Sequence, residues 1–193
     1  YITKQESEEK APRTSLGATI PTLRDPVRAR AQEGISLIKN GELSEEAEKV
    51  IDLTVEYDAI IGTSHISKDE AHLVTKYASS IGGKKILITH PYYRVPNYHL
   101  DELKQLVDEG ATIEFCAATC YPLISDSTMD KVHDSVVKLG PENCILAGDT
   151  GAPYIPSTPE GFRSFIQCIH DKGASIEDID TMTIENPQRL LNI

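Results

Sequence analysis

From residue 58 to residue 149, short apolar runs alternate with longer stretches whose apolar side chains return every three or four positions. The runs are DAIIGTSH (58–65), KILITH (85–90), TIEFCAA (112–118) and CILAGD (144–149). Continuous apolar runs of this length read as strands covered on both faces. The stretches between them read as amphipathic helices. Ser67-Lys68-Asp69-Glu70 has the spacing of a capping box and opens the helix AHLVTKYASS. HLDELKQLVDEG places Leu100, Leu103, Leu106 and Val107 on one face and ends at Gly110, a residue suited to a left-handed helix end. STMDKVHDSVVKLG follows the third strand, and Thr158-Pro159-Glu160 begins another helix with proline at its first turn. SIEDIDTMTIENPQRLLNI closes the chain as helix, and SEEAEKVIDLTVEY forms a helix ahead of the first strand. GISLI and KNGEL, from residue 34, read as a short strand and an Asn40-Gly41 turn. Strands roughly 25–32 residues apart, each followed by a helix, predict a parallel α/β sheet with crossover helices.

Residues 1–33 have no such period. They are polar and broken by prolines (QESEEKAPRTSLG, then IPTLRDP), and read as an irregular segment or linker ahead of a unit spanning 34–193. The chain opens on Tyr1 rather than Met, which predicts that the natural start lies upstream. A net charge of −11 argues against nucleic acid and anionic membrane surfaces as partners. No apolar stretch approaches the roughly 20 residues of a membrane span. The four cysteines form no CxxC pair, and Cys116 and Cys144 sit in strand-like runs. They read as reduced core residues of a cytoplasmic protein rather than as ligands of zinc or an iron–sulfur cluster. Neither GxGxxG nor GxxxxGK[ST] occurs, so no familiar nucleotide loop is predicted.

Candidate chemistry collects at the strand ends. The first strand ends at Thr63-Ser64-His65, the second at Thr89-His90 and the fourth at Gly148-Asp149. In parallel α/β folds the loops that follow the strands gather at one edge, and sites are built there. Two imidazoles and a carboxylate suit a divalent metal without a costly deprotonation at neutral pH. Each residue also has a plainer reading: either histidine as a loop hydrogen-bonding group, and Asp149 as a turn or cap residue. Glu114 lies inside a strand, where a carboxylate is costly unless partnered. It reads either as a substrate contact or support for a ligand, or as an ordinary partnered polar residue. His72, His99, His133 and His170 fall in helical or loop text and read as surface residues.

These motifs, in this order, resemble the amidohydrolase superfamily of metal-dependent hydrolases, and within it a poorly characterised amidohydrolase-like branch. GTSHIS resembles the fifth strand of the family's (β/α)8 barrel with its metal-binding histidine. ILITHP resembles the sixth, ILAGDTG the eighth with its aspartate, and ENPQRLLNI the helix with which many members end. The resemblance runs from about Gly34 to Ile193 and implies the C-terminal half of a TIM barrel. It implies His65, His90 and Asp149 as ligands of a divalent metal, most often Zn2+ with Mn2+ or Fe2+ as alternatives. Asp149 would also carry the proton from the attacking water to the leaving group of a small-molecule amide, ester or related substrate. The family's first strand normally brings an HxH pair and its fourth a Lys or Glu that bridges two metals; neither is here, and HxH occurs nowhere in the chain. The expectation is therefore that an N-terminal barrel half, or a second copy of the chain, completes the molecule. The competing expectation is a non-catalytic doubly wound α/β domain that binds a protein partner or a small ligand.

Overall fold

The computed structural model describes residues 35–122, 124, 126–151 and 155–193. The reading of 1–33 as an irregular segment lies outside the described residues. A two-residue hairpin, β1 (Ile38–Lys39) and β2 (Glu42–Leu43), opens the fold around Asn40 and Gly41, both at positive φ. Helix α1 (Glu45–Glu56) follows, capped by the Ser44 side chain, which accepts from the Ala47 N–H. The parallel sheet is built from β3 (Ile61–Gly62), β4 (Ile86–Thr89), β5 (Ala111–Cys116) and β6 (Cys144–Ala147). Between them run α2 (Lys68–Ser80), α3 (Leu100–Asp108) and α4 (Met129–Leu139). After β6 come α5 (Thr158–Asp171), α6 (Ile176–Asp180), a π turn over Thr181–Glu185 and α7 (Asn186–Leu191). The chain is thus an α/β protein. No described helix is long and apolar enough to cross a membrane.

The strands lie in the order β3-β4-β5-β6, all parallel, with no reversal. Crossovers of the usual right hand then place successive helices on one face. The packing agrees. Ile86, Ile88, Ile113, Phe115, Cys144 and Leu146 share one core with Val74 of α2, Leu103 and Leu106 of α3, Val136 of α4 and Phe165 and Ile169 of α5. The alternate positions make the opposite face. Its cross-strand rungs are Gly62–Leu87–Thr112, Thr89–Glu114–Ile145 and Cys116–Ala147. Leu87, Thr89, Glu114 and Ala147 remain half-buried there.

Two elements differ from the sequence reading. The first strand shrinks from 58–65 to Ile61–Gly62, because Asp58 and Ser64 take φ of 50° and 48° and fence the extended run at both ends. The closing helix is interrupted ahead of Pro187. Proline lacks an N–H and its ring collides with the carbonyl four residues back. The chain relieves this with a wider turn in which the Asn186 N–H donates to the Thr181 carbonyl, five residues back. The Asn186 side chain, 3% exposed, donates to the carbonyls of Pro141 (2.8 Å) and Cys144 (2.7 Å) and fastens the closing helix beneath β6.

Candidate functional site

The C-terminal edge of the sheet is where the loops after β3, β4, β5 and β6 meet. The chain leaves three of those strands through a non-glycine residue in the left-handed region: Ser64 (φ 48°), His90 (φ 35°) and Asp149 (φ 49°). Left-handed backbone is strained for such residues and persists only where the surroundings enforce it. After β3 the Ile66 N–H donates to the Thr63 carbonyl (3.2 Å), and the Thr63 hydroxyl accepts from the Thr89 N–H (3.2 Å). The Ser67 capping box then starts α2, which leaves His65 in the tight turn between strand and helix. After β4 the Tyr93 N–H donates to the His90 carbonyl (2.8 Å) and the Tyr98 N–H to the Pro91 carbonyl (3.0 Å), folding residues 90–98 into a closed loop.

These two loops bring three rings together. His65 and His90 stand with ring centroids 4.8 Å apart; His90 is buried. Tyr93 stacks on His65 at 5.2 Å with an interplanar angle of 24°, and lies 5.3 Å from His90. The Arg94 guanidinium lies 5.4 Å from the centre of the Tyr93 ring, a cation–π distance. It is held by Asp126 of the loop after β5, whose Oδ2 accepts from both the Arg94 backbone N–H (3.1 Å) and Nε (3.2 Å).

On the face turned from the helices, burial raises the Glu114 carboxyl above its ordinary value and the nearby Asp149 charge raises it further. Burial also pushes the Cys116 thiol up, helped by Glu114 and Asp149 and partly offset by a hydrogen bond from the His90 backbone. Glu114, Cys116 and Asp149 thus feel one another, and Cys116 links them to the His90 loop. Asp149 itself is exposed.

The structure therefore joins His65 with His90, and Asp149 with Glu114. Two adjacent imidazoles are the donor pair that zinc and related ions take. Among the described residues, however, no group of three or more His, Cys, Asp or Glu side chains is arranged to hold a metal ion. The donors present fit two positions of a metal centre and leave the others to groups beyond this set. The remaining described histidines lie elsewhere: His72 meets Glu109 (3.5 Å), His133 meets Asp134 (3.7 Å), His170 meets the Ala174 carbonyl (2.9 Å), and exposed His99 stands at the N-cap of α3. Cys116 and Cys144 are buried free thiols, as the sequence predicts. Sequence reasoning missed Tyr93 and Arg94. The signal available was HPYYR, an aromatic pair and a cation directly behind a strand-end histidine.

Fold and edge together define an α/β protein with a parallel sheet and a histidine–tyrosine cluster at its C-terminal edge. Residues 2–114 match a family of unknown function, DUF6282, and the chain belongs to that family. The match takes in His65, His90, Tyr93 and Arg94, ends at Glu114 and stops short of Asp149. Among curated proteins, none matches the chain.

Proposed function

We propose that the protein is a metal-dependent hydrolase of amidohydrolase type, and that this chain supplies the C-terminal part of a TIM-barrel site. The observation that carries the reading is the juxtaposition of His65 and His90 at the exits of neighbouring parallel strands. The unreversed strand order and the single helical face support a barrel segment over a doubly wound sheet, which needs a reversal and helices on both faces. A divalent ion such as Zn2+ would supply Lewis-acid activation of the scissile bond and of water. His65 and His90 would hold such an ion through imidazole nitrogen. Tyr93, stacked on His65, fixes that ring's plane. Asp149 accepts a proton from the attacking water and returns it to the leaving group. Glu114 lies close enough to Asp149 for that charge, after burial, to raise its carboxyl above the ordinary value. The remaining ligands come from an N-terminal barrel half.

The test begins with metal. Chelated full-length chain titrated with Zn2+ or Mn2+ is expected to take up the ion saturably, and the His65→Ala/His90→Ala double variant is expected to lose that uptake. Against a panel of small amides, esters, lactones and phosphoesters, Asp149→Asn should lower kcat by about 10²–10⁴-fold while keeping most of the metal, because His65 and His90 would still hold the ion but an amide cannot accept the proton. Absence of metal uptake in the wild type, or wild-type turnover in the Asp149→Asn protein, would overturn the reading.

A further inference from the structure

We propose that Arg94 is an oxyanion-binding residue that selects substrates carrying a carboxylate or phosphate group. Its role in substrate choice rests on the hydrolytic reading; the anion site itself stands on geometry. The guanidinium sits one ring away from both site histidines, against Tyr93, which touches His65 and His90. It is also held in place. The Arg94 side chain is 24% exposed and that of Asp126 13%. Both loops are closed on themselves, the first by the His90–Tyr93 and Pro91–Tyr98 hydrogen bonds, the second by the Asp126 and Ser127 N–H groups donating to the Thr119 carbonyl at 3.0 Å each.

The way Arg94 is held matters more than the holding. An arginine that only ties two loops commonly presents its fork to both oxygens of a carboxylate. Here a single oxygen of Asp126 takes Nε and the backbone N–H, and one terminal nitrogen makes a long contact, 3.4 Å, to the Ile124 carbonyl. A guanidinium has five N–H groups. Three of them have no partner among the described residues. They lie at the terminal nitrogens, the pair that meets a carboxylate or phosphate in a two-point contact. An immobilised cation with three N–H groups unpartnered among the described residues, beside the residues proposed to do the chemistry, is a preorganised anion subsite. The net charge of −11 repels small anions at long range, so saturable anion binding at this edge must come from a local cation.

The experiment uses full-length, metal-free protein at low ionic strength, with inorganic phosphate and succinate as separate probes in calorimetric titrations. Saturable binding of one or both is expected: phosphate alone assigns a phosphoryl group, and succinate alone a carboxylate. Arg94→Gln should weaken that binding about tenfold or more. Asp126→Asn is the second variant. It keeps the guanidinium but removes its competing negative charge, and should bind the same probe several-fold more tightly. No saturable binding in the wild type, unchanged binding in the Arg94→Gln protein, or weaker binding in a folded Asp126→Asn protein would overturn the proposal. Anion binding without metal uptake would instead sink the hydrolytic reading and leave the subsite standing.

Discussion

His90 concentrates three costs in one residue: a left-handed backbone, a buried ring and contact with two other rings. A fold keeps such a residue only when its surroundings over-determine it, at an expense of the order of 1–3 kcal/mol for the backbone alone. The strand register explains part of this. Thr89 pairs with Glu114, so the next residue must turn over the open face or break from the sheet, and the left-handed step does the turning. Glu114 makes a measurable statement at the same scale. Its folded pKa is raised above the ordinary 4.5, first by burial and then by Asp149. The folded state therefore holds that proton more tightly than the unfolded chain. The resulting stability is fully present below about 4.5 and is lost as pH rises through the folded value. Glu114→Gln carries a neutral isostere and has no such loss. In chelator-treated protein, the variant should gain on the wild type in denaturant midpoint as pH is raised from 4 towards 8. A constant difference across that range would show that the carboxyl is not perturbed.

At the scale of elements, helices and their caps were legible because they depend on neighbours along the chain. Ser67 and Glu70 form the capping box that the sequence spells, and Leu103 and Leu106 face the core as their spacing requires. What was not legible depends on distant partners. Glu70 is buried because its second oxygen accepts from the Leu37 N–H (2.8 Å) and the Ser36 hydroxyl (3.2 Å), fastening the chain before β1 to α2. Nothing in a local period announces a bond across more than thirty residues. The site divides in the same way. His65 and His90 are legible as residues near strand ends, a local signal, although both lie beyond the last strand residue, His65 in the turn after β3 and His90 directly after β4. Tyr93 and Arg94 escaped because their meaning comes from the closure of two loops. The double duty of Glu70 gives a prediction. Glu70→Ala removes a helix cap and strands several donors at once, and should cost about 2–3 kcal/mol in chemical unfolding followed by circular dichroism. Ser67→Ala removes the cap alone and should cost about 1 kcal/mol. Equal costs for the two variants would mean that the tie to the β1 segment contributes nothing.

Among the described residues, the helices that pack on the sheet share the core of one face. Parallel sheets are normally covered on both. Here the second face carries Leu87, Thr112, Glu114 and Ile145 in mixed apolar and polar rungs, a composition suited to a closed interior more than to bulk water. The outer edges of β3 and β6 have no strand partner among the described residues. Unpaired edges recruit other chains unless something covers them. Beside β3 an apolar cavity of about 320 Å³ is lined by Ile35, Val50, Ile51 and Ile61, and Ile35 and Val50 are well exposed. Four strands cannot close a barrel whose interior is filled by its own side chains, whereas eight can. On the hydrolytic reading proposed above, these features and the His65–His90 donor pair would share one remedy, a further barrel half laid against both edges. The purified chain, examined by size-exclusion chromatography with light scattering, is therefore expected to run as a species heavier than its own 21.2 kDa, either self-associated or with a companion polypeptide. Adding a separately produced N-terminal barrel half should shift it to a one-to-one complex and raise its affinity for Zn2+, since that half would bring the missing ligands. A monodisperse 21.2 kDa monomer that binds metal and turns over substrate unaided would show that the open face and edges need no partner.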